Sequence, residues 1–179
     1  DATFEEVRVN ILPRPSVSGR GVSLRLPDRP DLPPFVAIDE FQVNVGVFSL
    51  MREHVDTVYA KGLRIAIPPP SERDGLSPEG GGSSEIIIDH LITEGGSLQF
   101  IPSEPDKRPL TFDIHAMHLQ NVGVGVPIPF EATLTNPVPE GLVEARGEVG
   151  PFVRGQLPES ELSGTYVFTD ADLATINGI

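Results

Sequence analysis

The chain has no cysteine and no tryptophan, so neither a disulfide framework nor a thiolate nucleophile is available, and the redox compartment is left open. Lysine is nearly missing as well, at Lys61 and Lys107 only, and the arginines are scattered. With a formal net charge of -13 there is no basic stripe to displace counterions from phosphates, which excludes a nucleic-acid partner and adsorption to anionic headgroups through a polybasic patch. No run of about 18 apolar residues occurs, so this stretch contains no membrane-spanning helix and no visible signal peptide. The chain begins at Asp1 without methionine, and we expect a fragment of a longer protein whose anchor precedes that point.

What is abundant is glycine and proline, 18 and 19 residues in 179, a load that demands many turns and argues against long helices. Between the turns the dominant period is two. Val7, Val9 and Ile11 alternate with Arg8 and Asn10, and Val22, Leu24 and Leu26 with Ser23 and Arg25. Phe41, Val43, Val45 and Val47 follow the same rule, then Leu63, Ile65 and Ile67, and Leu98 with Phe100. Leu110, Phe112, Ile114 and Ala116 alternate with Asp113 and His115, Phe130, Ala132 and Leu134 with Glu131 and Thr133, and Val143, Ala145 and Val149 with Glu144, Arg146 and Glu148. Such strands are wet on one face and dry on the other, as in antiparallel sheets. The pattern predicts a single all-β domain over 1–179, mainly antiparallel, with about eight to ten strands in a curved sheet or groove. Short helices are expected at Phe48 to His54 and Ala171 to Ile176, and a flexible surface loop over 71–84.

One pattern recurs. Ile38-Asp39 with Phe41, Val55-Asp56 with Val58, and Ile88-Asp89 with Leu91 each read apolar, Asp, any residue, apolar. After the second and third copies come Gly62 and Gly95, then the apolar pairs Ile65 with Ile67 and Leu98 with Phe100. We read an internal repeat in which the glycine permits a bulge or bend that re-aims the apolar face. The aspartates suit strand ends and turns, where the carboxylate bonds nearby backbone N–H groups.

No catalytic constellation emerges. His115 and His118 are three apart in an expected strand, on opposite faces, and His54 and His90 have no partner at strand or helix spacing. Asp170-Ala-Asp172 lacks the third oxygen ligand of a calcium loop. There is no G-x-S-x-G elbow, phosphate loop or G-x-G-x-x-G, and Asp39-Glu40 and Glu159/Glu161 lie in ordinary polar segments rather than as a glycosidase pair. We expect no enzyme, no metal and no cofactor. A sugar-binding sandwich would need exposed aromatic platforms, and the chain offers only Tyr59 and Tyr166 besides phenylalanines at inward strand positions.

The phrases VNILPRPSVSGRGVSLRLPDRPDLPPFVAIDEF, VYAKGLRIAIPPP, EIIIDHLITEGGSLQFIP, LTFDIHAMHLQNVGVGVPIPFEATLTNPVPEGLVEARGEVGPF and GTYVFTDADLATINGI resemble the N-terminal to middle region of bacterial AsmA-like proteins. The resemblance covers nearly the whole chain as a style of repeated strand. It implies a periplasmic segment of a protein anchored in the inner membrane by one N-terminal helix. It also implies relation to the repeating β-groove, chorein-type bridges that carry phospholipids between inner and outer membranes and maintain the envelope. Phospholipid acyl chains are then the expected partners, with the membrane reached through the anchor and other envelope proteins as candidates. The face that would take an acyl chain carries Phe41, Val43, Val45, Leu63, Ile65, Ile67, Leu98, Phe100, Phe112, Ile114, Phe130 and Leu134. The rival reading is that these residues close on each other as the core of a β-sandwich interaction or adhesion module without transport; period two alone does not separate the two.

Overall fold

Alternation and turn placement build ten strands, seen in a computed structural model that describes residues 2–10, 15–25, 33–44, 46, 54–69, 87–104, 106–123, 125–151 and 161–170. They are β1 (Ala2–Thr3), β2 (Glu6–Asn10), β3 (Ser16–Leu24), β4 (Val36–Asn44), β5 (His54–Ile67), β6 (Ile87–Phe100), β7 (Leu110–Val122), β8 (Ile128–Pro137), β9 (Glu140–Val149) and β10 (Leu162–Thr169). All join one sheet in the order β1-β3-β4-β5-β6-β7-β8-β9-β10, with β2 also on β3. The two ends of the sheet do not meet, so it is open.

Among the described residues there is no helix. The segments expected as helices and the loop over 71–84 lie outside the described residues, except that His54 is the first residue of β5. β10 escaped the alternation count; its eight residues are all exposed at the sheet's edge.

Every pairing is antiparallel except β5 with β6. That parallel junction was not foreseen, and it explains the repeat. Val55 stands beside Ile88, Val58 beside Leu91, Ile65 beside Leu98 and Ile67 beside Phe100. The two copies therefore lie side by side with each residue next to its counterpart, which is what a parallel pair of similar strands permits and an antiparallel pair does not. The Ile38-Asp39 copy does not belong to this unit. It sits on β4, which runs the other way, and Asp39 reaches Arg64 across the pair instead of matching Asp56.

The register also fixes which side chains share a face, since residues directly opposite one another project to the same side. β8 alternates without interruption, placing Phe130, Ala132 and Leu134 on one face. Their partners are Leu119, Met117 and Ile114, so β7 must change phase between Ile114 and Met117; the register shift between Ile114 and Ala116 is that change. Carried through the sheet, the same face holds Leu91, Thr93 and Leu98 of β6, then Val58, Ala60, Leu63 and Ile65 of β5, then Val43, Phe41, Ile38 and Val36 of β4.

In each of these strands two consecutive residues separate the two halves of the apolar series: 115–116, 94–95, 61–62 and 39–40, and 20–21 in β3. They form one transverse crease. Gly21, Gly62 and Gly95 take φ of 64, 64 and 68 degrees there, a conformation that side-chain-bearing residues adopt only at a cost. The expected re-aiming of the apolar face after Gly62 and Gly95 is thus present, and three further strands share it.

Candidate functional site: an uncovered apolar face

The candidate site is a floor of apolar rows crossing the strands. One row runs Val9, Val17, Val43, Val58, Leu91, Leu119 and Phe130. The next runs Val7, Gly19, Phe41, Ala60, Thr93, Met117, Ala132, Ala145 and Tyr166. Beyond the crease come Leu63 of β5, then Ile114, Leu134, Val143 and Phe168, and after them Leu24, Val36, Ile65, Leu98 and Phe112. Ile67, Phe100 and Leu110 complete it, with the Phe100 and Phe112 rings edge to face at 5.9 Å between centroids.

Eleven of the twelve residues expected to face an acyl chain thus stand on one face, and Val45 lies outside the described residues. Val58 and Leu91, each the last residue of an apolar-Asp-x-apolar motif, join the floor beyond the twelve expected positions. Ala116, expected beside Ile114, is moved by the bulge to the opposite side, level with Thr133 and Glu144.

No strand among the described residues lies over this floor. Substantial contact between strands runs only between neighbours in the sheet, so the described strands form a single layer. Among the described residues these side chains therefore do not close against a second sheet. Burial varies along the floor: Leu63 and Ile114 are 4% exposed, most of its residues are half-buried, and Val9, Tyr166 and Leu110 are exposed. Thr93 is 1% exposed, and its Oγ1 finds no hydrogen-bond partner among the described residues.

The other face is polar. Glu6, Arg20, Glu40, Lys61 and Glu94 stand opposite one another on five adjoining strands, alternating in sign, with Arg20 Nη2 3.1 Å from Glu40 Oε1. Opposite charges side by side favour this register over a slipped one. At the crease, Arg64 Nη1 donates to Asp39 Oδ2 at 2.9 Å and Nη2 to Oδ1 at 2.6 Å. These bonds, aided by the guanidinium's charge, hold the Asp39 carboxyl below its ordinary pKa against a smaller opposing effect of burial.

The histidines have partners that spacing does not reveal. His54 Nδ1 donates to Asp89 Oδ1 at 2.7 Å across the parallel pair. His90 Nδ1 lies 3.0 Å from His118 Nε2, and His115 Nε2 lies 2.8 Å from Thr135 Oγ1. The bulge undoes the strict alternation that set His115 and His118 on opposite faces, yet the two do not converge. Among the described residues no three His, Asp or Glu side chains gather as a metal site, and no helix is long and apolar enough to cross a membrane.

No protein-family model matches this chain, and no curated protein sequence matches it.

Proposed function

We propose that this chain is one section of an AsmA-like periplasmic trough that shields phospholipid acyl chains in passage between the inner and outer membranes, in a protein held at the inner membrane by an anchor outside this stretch. The observation that supports it most is the apolar floor shared by at least eight strands, with no second sheet over it among the described residues. An acyl chain asks for no particular residue. It asks for a continuous apolar strip, and each CH₂ taken out of water there contributes about 0.8 kcal/mol. The opposite face, with its charged ladder, stays in water, and the chain's net charge of -13 opposes adsorption to anionic surfaces.

A photoreactive side chain placed in the full-length protein tests this directly. Positions Leu91 and Phe112 on the floor should capture phospholipid after illumination of living cells, whereas Ile92 and Gln42 on the polar face should not. Capture of protein alone at the floor would point instead to an interaction module. Equal lipid capture on both faces would remove the trough reading.

A further inference from the structure

We propose that His90 and His118 form a two-imidazole site for a borderline divalent transition cation, of the class of Zn²⁺, Cu²⁺ or Ni²⁺, on the face opposite the apolar floor. The site is independent of any lipid role.

Its geometry comes from the register of β6 and β7. His90 stands opposite Gln120 and His118 opposite Ile92, so the two histidines are diagonal neighbours on the same face of an antiparallel pair. Their ring nitrogens Nδ1 and Nε2 are 3.0 Å apart, with ring centroids at 5.2 Å and planes 36 degrees apart. Two imidazole nitrogens bound at about 2.0–2.1 Å to one tetrahedral cation stand about 3.3–3.4 Å apart. Turning the exposed His90 ring and the half-buried His118 ring until both lone pairs meet at one point converts the present hydrogen bond into a chelate.

The present contact is also chemically restrictive. One imidazole donates its N–H and the other accepts at a bare ring nitrogen. A cation needs both facing nitrogens bare, so in the chelate the ring that now donates carries its proton on its other nitrogen. Imidazole pairs favour Zn²⁺, Cu²⁺ and Ni²⁺ over Ca²⁺ and Mg²⁺, which seek oxygen.

The surroundings favour a cation. Glu131 stands opposite His118 on β8, with Arg146 beyond it on β9, and Thr57 of β5 stands beside His90; among the described residues the two imidazoles are the only protein ligands the register brings together, and water completes the shell. A chain at -13 adds long-range attraction. The other two histidines are each engaged singly, His54 by Asp89 and His115 by Thr135, and offer no such pair.

The test is isothermal titration of the untagged protein with Zn²⁺, with Cu²⁺ electron paramagnetic resonance as a second readout of nitrogen ligation. We expect one cation per chain, a two-nitrogen Cu²⁺ signature, and affinity weakened about tenfold or more in His90→Gln and in His118→Gln. His115→Gln should bind as the parent does, and excess Mg²⁺ should not compete. Circular dichroism checks that these surface variants keep the sheet. No saturable Zn²⁺ binding, or binding that survives both His90→Gln and His118→Gln, or equal loss in His115→Gln, would overturn the site.

Discussion

Asp39 and Arg64 close a two-pronged ion pair across β4 and β5, and the carboxylate of Asp39 fills the space where a side chain on Gly62 would begin. Gly62 thus has two reasons to be glycine, its φ of 64 degrees and this contact. Gly95, its counterpart in the second copy of the repeat, has only the first: at φ 68 degrees, nothing lies within 4 Å of an added Cβ.

The matched glycines should therefore differ when replaced. Gly95→Ala pays the left-handed strain alone, about 1–2 kcal/mol. Gly62→Ala adds displacement of Asp39 and loss of its pairing with Arg64, so its cost should be larger by roughly 1 kcal/mol. Urea unfolding of the two variants beside the parent measures both; equal losses would mean that the Asp39 contact carries no weight.

The same ion pair gives a pH dependence with a definite sign. Arg64 lowers the Asp39 pKa in the folded chain, so the pair's contribution is present above the unfolded carboxylate value, about 3.9, and disappears as pH falls through the lower folded value. Both side chains are about half exposed, at 54% and 53%, which limits the effect to below about 1 kcal/mol at ordinary salt. The stability gap between the parent and Arg64→Gln should thus be visible at about pH 7 and shrink toward about pH 2. A gap that is flat over that range would separate the lowered pKa from stability.

The strands were legible because alternation is a local property: Val43 and Asn44, or Phe130 and Glu131, declare their faces without knowing their neighbours. The glycine step was legible too, since Gly62 and Gly95 interrupt the alternation at the same place in two similar stretches. Pairing was not. That β5 and β6 run parallel, that Ile38-Asp39 is outside the repeat, and that His54 meets Asp89 and His90 meets His118 all follow from strand order, which period two does not encode. Nor does alternation tell whether an apolar face meets a second sheet, because a side chain has the same pattern in either case. The bulge at His115 was hidden for a different reason. Asp113, Ile114, His115 and Ala116 satisfy simple alternation in sequence, and only the register against Leu134 and Thr133 exposes the extra residue.

Thr93 offers a test of the floor itself. It lies between Ala60 and Met117 in an otherwise apolar row, at 1% exposure, with a hydroxyl that bonds to nothing among the described residues. A buried unpaired hydroxyl costs about 1–3 kcal/mol in desolvation. Valine has nearly the same shape and prefers the extended backbone, so Thr93→Val should raise stability by about 1 kcal/mol or more. Thr93→Ala removes the hydroxyl and also a methyl that packs in the row, and the resulting void should cancel most of that gain. Thermal unfolding of the three proteins therefore orders them Val, then Ala near the parent. If Thr93→Val instead loses stability, the hydroxyl has a hydrogen-bonding partner in solution, and the floor is less dry at its centre than its rows imply.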